Sequence, residues 1–178
     1  MAATTCDALW EWSGHGTMPV VIDAASCTNG LLDDVMNYLD AKHRARLDQI
    51  TLLDSIAWCD SLFPALTVSE RIERAAVHPT CSSSHLGLTK TLERLAGRLA
   101  GDVLVPVGTT CCGTAGDRGL LHPELVISAT RDEKAGLAET PAQAYLSANR
   151  TCEMGLRQAT GHPYESFVFL LEELTRPA

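Results

Sequence analysis

Seven cysteines are the side chains with the most chemistry to offer in this chain of 178 residues. Two are adjacent, Cys111 and Cys112, and they open a glycine-rich stretch, Gly113-Thr-Ala-Gly116-Asp-Arg-Gly119. Vicinal cysteines rarely bridge each other, because the ring that results is strained. The glycines let the backbone come close to whatever the thiols hold. Either the two sulfurs bind a metal centre, or one of them is merely buried. Thiolate-rich sites suit iron–sulfur clusters or zinc. A zinc ribbon would use paired Cys-x-x-Cys knuckles, and the sequence has none. Two further chemistries are open here. Cys112 could act as a nucleophile with His78 or His122 as base. The backbone amides of the glycine loop could instead cradle an anion beside Arg118, although the glycine spacing fits no nucleotide fingerprint.

The elements that must position these thiols follow from the apolar pattern. Short apolar runs at 19–23, 50–56, 73–77, 103–107 and 145–148 predict five strands. Helices are expected at about 7–12, 31–44, 59–63, 84–100, from 122 to 134 or 137, after Cys152, and from about Pro163 onward. Strands and helices that alternate along a chain predict an α/β fold. The expected architecture is an open, mostly parallel sheet of about five strands with helices on both faces, doubly wound and Rossmann-like. All strands of a parallel sheet end on one edge, where such sheets hold their ligands. Cys27, Cys81, Cys111, Cys112 and Cys152 each fall just after a predicted strand, so five of the seven thiols converge on that edge. Cys6 is expected to be a bystander and Cys59 to be a core residue.

The apolar fraction of 46% and charged fraction of 20% are those of an ordinary globular chain. The length suits one domain: residues 1–18 read as a lead-in and 19–178 as a single α/β domain. The net charge of −8 and the pI near 5.1 argue against a nucleic-acid surface. No apolar run approaches the roughly 18 residues of a membrane span. No basic-then-apolar leader opens the chain. An odd number of thiols in such a chain points to a cytoplasmic setting that keeps them reduced, and to metal or redox use.

Cys81, Cys111-Cys112-Gly113 and Cys152 together resemble the cysteine-rich CCG domain. That domain occurs in one of the subunits of heterodisulfide reductase, in the iron–sulfur subunit of glycolate oxidase and in lactate-utilisation proteins. Its pattern is one cysteine, a gap, Cys-Cys-Gly, a similar gap, then Cys-x-x-Cys. The last part departs here: Cys152-Glu-Met-Gly155 has glycine where the final cysteine would stand, and some oxidase-type relatives also keep only one cysteine there. A closer likeness runs through Pro19-Val-Val-Ile-Asp-Ala-Ala-Ser-Cys27-Thr28, His78-Pro-Thr-Cys81, the Cys111–Gly119 stretch, Asn149-Arg-Thr-Cys152 and Pro163-Tyr-Glu-Ser-Phe-Val-Phe. These segments resemble the C-terminal end of large bacterial FAD-linked oxidases of the D-lactate dehydrogenase type, in which a flavin part is followed by a ferredoxin-like part and two CCG repeats.

The resemblance implies a 4Fe–4S-type cluster held by Cys81, Cys111, Cys112 and Cys152. Cys27 would be a metal-binding thiol at the end of a preceding repeat, whose own Cys-Cys-Gly lies upstream. The chain would then hold one and a half repeats. FAD would sit only on the upstream part, and the chain alone would oxidise no 2-hydroxyacid. The implied partners are that flavin-binding part, on the same or another chain, and an electron acceptor such as a quinone. The implied place is the cytoplasm or the periphery of the inner membrane. The alternative is a zinc-containing or thiol-only module that serves structure or assembly.

Overall fold

The computed structural model describes residues 1–177. The larger of its two sheets is built on β3 (Ile72–Val77), whose Ala75, Ala76 and Val77 are wholly buried. A strand that is apolar at consecutive positions can be covered on both faces, which suits the interior of a parallel sheet. β3 pairs in parallel with β4 (Ala100–Leu104) on one side and with β5 (Ala144–Ser147) on the other. β6 (Glu165–Ser166) pairs in parallel with β5, giving the order β4-β3-β5-β6. Side chains alternate across the sheet. Ala75, Val77 and Leu146 pack with α4 (Ser55–Leu62), α6 (Thr89–Leu99) and α11 (Phe167–Thr175). Ala76 and Tyr145 face the opposite core, with Leu137 of α9 (Arg131–Glu139), Leu156 of α10 (Arg150–Thr160) and Tyr164. The fold is therefore α/β, with parallel sheets flanked by helices. The chain steps outward from β3 to β4 and then returns across β3 to β5. Strand order thus reverses between β3 and β5, where doubly wound sheets open a crevice at their carboxyl ends.

The first two strands stand apart from that sheet. β1 (Val20–Ile22) and β2 (Leu52–Asp54) form a two-stranded parallel sheet of their own. It packs with α1 (Ala2–Trp12) and α3 (Ala41–Leu47) around Cys6, Leu9, Leu39, Leu47 and Ile50. The single sheet of about five strands is thus divided into sheets of two and four strands. Alternation signals parallel pairing within a unit but carries no information on which strand edges meet. The two units touch where α2 (Ala25–Asn29) packs beside α5 (Cys81–His85), and the Ala25 N–H donates to the Ala148 carbonyl at 3.1 Å.

Several elements differ from their expected bounds. The fourth strand ends at Leu104, because Pro106 has no N–H for a ladder, and Val107 beyond it is 86% exposed. β6 is an addition to the expected strands. The helix expected over 31–44 is a π turn at Gly30–Asp34, a 3₁₀ turn at Val35–Tyr38 and then α3. Asp40 restarts it by accepting the His43 N–H at 2.9 Å, a strong N-cap. The strand expected over 50–56 stops at Asp54, which caps α4 by accepting the Ile56 N–H at 2.9 Å. Gly87, at φ +70°, separates α5 from α6 in the stretch expected as one helix. Residues 118–139 form three short helices, α7 (Arg118–Leu121), α8 (Pro123–Ala129) and α9. Among the described residues, no helix is long and apolar enough to cross a membrane.

Candidate metal centre

Two thiols are placed by neighbouring strands. Cys81 is the first residue of α5, just past β3, and Thr80 caps that helix by accepting the Ser83 N–H at 3.0 Å. Cys152 lies in the first turn of α10, just past β5. Since β3 and β5 are adjacent, both sulfurs belong to the crevice where strand order reverses. Cys111 and Cys112 arrive differently. With β4 ending at Leu104, they do not follow a strand directly but sit on the long loop before α7.

Close packing brings that loop inward. Gly113 has φ +77°, and an added Cβ would lie 2.8 Å from the Leu125 carbonyl oxygen and 2.9 Å from Ala129 Cβ. A Cβ on Gly119 would lie 2.6 Å from Thr114 Cα, and one on Gly155 of α10 would lie 2.5 Å from Thr114 Cγ2. Glycine at these places lets the loop, α8 and α10 touch. A side chain at position 155 would meet buried Thr114.

The result is a cavity of about 260 Å³ lined by Cys81, Cys111, Cys112, Cys152, Thr114 and Asn149, with Ser26 at its rim. Cys112 Sγ lies 2.8 Å from Cys152 Sγ and 2.7 Å from Thr114 Oγ1. Asn149 donates from Nδ2 to Cys152 Sγ at 3.3 Å and accepts the Ser26 hydroxyl on Oδ1 at 3.0 Å. The Gly113 N–H points at Cys111 Sγ from 3.4 Å. Cys112 is held well below the usual thiol range, first by the hydrogen bond from Cys152 and then, against the opposing effect of burial, by Thr114 and the nearby His78. Cys152 is driven far up, because it keeps the proton it shares with Cys112 and because it is buried. Burial also pushes Cys111 up, with Cys112 and Cys81 adding to it. The Cys112–Cys152 pair thus holds one proton between two sulfurs.

The other thiols stand outside this group, and no cysteine among the described residues is in a disulfide. Cys27 lies exposed on α2 and does not line the cavity, although its neighbour Ser26 does. Cys59 is buried in the core beneath α4, as expected, where burial raises it to about 11, while Cys6, expected as a bystander, is buried in the core of the two-stranded unit. His122, one of the two bases considered for a nucleophilic Cys112, is exposed and pairs with Glu124 at 3.2 Å. Among the described residues, no three His, Cys, Asp or Glu side chains converge to hold one metal ion. The four sulfurs surround a space instead of pointing at one atom.

A buried network beside the thiols has no local signal in the sequence. His78 is wholly buried, with Nδ1 2.8 Å from Glu133 Oε2, and the Tyr164 hydroxyl donates to Glu133 Oε1 at 2.5 Å. Glu133 lies on α9, where its spacing reads as that of any helix acid, and nothing local ties it to a histidine that follows β3.

No protein-family model matches the chain, and no curated protein matches it.

Proposed function

We propose that the chain is an iron–sulfur electron-transfer module that holds its cluster through Cys81, Cys111, Cys112 and Cys152. One observation carries the reading: these four thiols, from three separate segments, line a single cavity where strand order reverses. An all-thiolate donor set suits iron–sulfur ligation. A structural zinc would need four donors around one point at about 2.3 Å. No three donors among the described residues converge in that way, which favours the larger centre over the zinc module.

When bound, such a cluster accepts and releases single electrons at a potential set by its surroundings. The chain's own residues supply those surroundings. Cys112 is already poised as a thiolate, while Cys111 and Cys152 give up protons on binding. Asn149, Thr114 and the Gly113 N–H aim hydrogen bonds at the sulfurs, which orients them and tunes the centre. By its resemblance, the module is the C-terminal part of a flavin-linked 2-hydroxyacid dehydrogenase of the D-lactate type. It would pass electrons from FAD on the upstream part to a quinone or another acceptor, in the cytoplasm or at the inner membrane surface. Cys27, which follows a strand of the separate two-stranded sheet, would serve a half-site of its own.

The test is anaerobic reconstitution with ferrous iron and sulfide, read by iron and acid-labile sulfide content and by visible absorbance. The parent should take up both. Cys112→Ser should abolish uptake, while Cys6→Ser and Cys59→Ser should keep it. A Cys112→Ser protein that bound iron and sulfide as well as the parent would sink the assignment. So would a parent that bound zinc but no iron with sulfide.

A further inference from the structure

We propose that Cys112 and Cys152 form a reversible dithiol–disulfide pair in the metal-free protein, and that this pair decides when the cavity can take its centre. The pair itself stands on the geometry of two sulfurs. What it controls rests on the cluster reading above.

The two sulfurs already touch. Cys112 Sγ lies 2.8 Å from Cys152 Sγ, and both residues line the same cavity. A disulfide holds its sulfurs at about 2.05 Å, so the approach still to be made is about 0.8 Å. Cys152 is fixed in the first turn of α10. Cys112 sits on the loop before α7 and can supply that movement. Most other thiols are badly placed to compete. Cys111 adjoins Cys112 in the chain, where a bridge would close a strained ring. Cys6 and Cys59 belong to separate cores, and Cys27 lies outside the cavity. Within the cavity this leaves Cys81 with Cys111 as the rival pair.

A small oxidant can reach the buried sulfurs. Cys81 is exposed and also lines the cavity, so the space opens to solvent. Its volume of about 260 Å³ is several times the roughly 30 Å³ share of one water molecule. Hydrogen peroxide is of that size. One sulfur of the pair, as thiolate, attacks a peroxide oxygen, and the O–O bond breaks. That sulfur becomes a sulfenic acid, and the leaving hydroxide recovers the released thiol proton as water. The second thiol then attacks the sulfenic sulfur. The S–S bond forms, the S–O bond breaks, and the hydroxyl leaves as water with the second thiol's proton. Two thiols and one peroxide thus give one disulfide and two waters. A dithiol reductant reverses the step by exchange, taking the disulfide onto itself and returning both hydrogens. Thr114 Oγ1, 2.7 Å from Cys112 Sγ, and Asn149 Nδ2, 3.3 Å from Cys152 Sγ, are placed to donate to whichever sulfur carries the charge. While the bridge is closed, two of the four donors are tied up and the cavity cannot hold its cluster.

The test uses the full chain, metal-free, reduced and then freed of reductant under argon. It receives one equivalent of hydrogen peroxide, the remaining thiols are blocked with N-ethylmaleimide in denaturant, and the digest is read by mass spectrometry. The expected product is a Cys112–Cys152 cross-linked peptide, lighter than the reduced pair by two hydrogens and lost on adding dithiothreitol. A first cross-link between Cys81 and Cys111, or oxidation without a cross-link, would overturn the pair. Oxidised and reduced samples are then reconstituted with ferrous iron and sulfide. The reduced protein should gain visible absorbance at once, and the oxidised protein only as its cross-linked peptide disappears. Equal onset in the two would overturn the control of loading. A reduced parent that took up no iron and sulfide would sink the cluster reading and the control of loading with it, while the cross-link result would stand by itself.

Discussion

Replacing Gly113 by alanine would put a methyl group 2.8 Å from the Leu125 carbonyl oxygen, 2.9 Å from Ala129 Cβ and 3.0 Å from Val126 Cα. All three belong to the body of α8, so no flexible side chain can turn aside. The backbone at φ +77° adds a second cost, since the left-handed region disfavours an L-residue by about 1–2 kcal/mol. Overpacking of this kind adds about 1–3 kcal/mol. The sum is a loss of about 2–5 kcal/mol for the metal-free protein. Gly116 is the matched control. It has φ +75°, but nothing lies within 4 Å of an added Cβ, so Gly116→Ala carries the backbone cost alone. Urea unfolding of both variants under reducing conditions measures the difference, as a lower midpoint at unchanged slope. The same displacement loosens Thr114 from Gly155 and Cys112 from Cys152, so Gly113→Ala should also take up less iron than Gly116→Ala. Equal midpoints for the two would refute the claim that Gly113 exists for the approach of α8.

Three further outcomes are expected. Cys59 is raised to about 11, so its contribution is complete below the ordinary thiol value of 9.0 and is lost as pH climbs through 11. At about 1.4 kcal/mol per unit this amounts to about 3 kcal/mol, and Cys59→Ala should show a shallower alkaline fall in urea midpoint than the parent. In metal-free protein, iodoacetamide should modify Cys112 at a pH below that of an ordinary thiol. Thr114→Val, which removes a donor to Cys112, should move that profile upward as read by peptide mass spectrometry; an unmoved profile would remove Thr114 from the account. Glu133→Gln leaves only one acceptor oxygen for the His78 N–H and the Tyr164 hydroxyl, which should cost about 1–3 kcal/mol. Its melting temperature should fall further than that of Tyr164→Phe, and the reverse order would count against Glu133 as the shared acceptor of both bonds.

Much of this architecture could be read from local signals. Cys81 and Cys152 follow their strands directly, because a strand, a turn and a helix start are all short-range features. The strands at 73–77 and 145–148 stand close to their expected places for the same reason. The fourth strand slid because its apolar run continues through Val105 and Val107, on either side of Pro106, and both turn out to be exposed, while the register with β3 ends at Leu104. Cys111 and Cys112 reach the right place by a route the pattern could not show: the loop is folded by contacts of Gly113 and Gly119 with α8, and of Thr114 with Gly155 on α10. Cys27 falls outside the cavity, since its sheet is separate from that of β3 and β5. The Glu133–His78–Tyr164 network joins residues far apart in the chain, and no spacing rule reaches that far.

The electrostatics of the cavity bear on what kind of ligand it suits. Thiolates gathered in one low-dielectric space repel one another and need a cation to stay ionised together. Without one, the protein meets the problem by leaving a single proton on the Cys112–Cys152 pair and keeping Cys111 protonated through burial. Each of those protons marks a place where positive charge is wanted, and a cationic centre would displace them one by one. The donors already aimed at the sulfurs, from Thr114, Asn149 and the Gly113 backbone, stabilise thiolate over thiol and so favour that exchange. Asn149 adds a link beyond the cavity, because its carbonyl oxygen accepts the Ser26 hydroxyl from α2. The unit that carries Cys27 therefore reaches the thiol site through this hydrogen bond as well as through the packing of α2 beside α5, so a shift of α2 bears on the amide that orients Cys152.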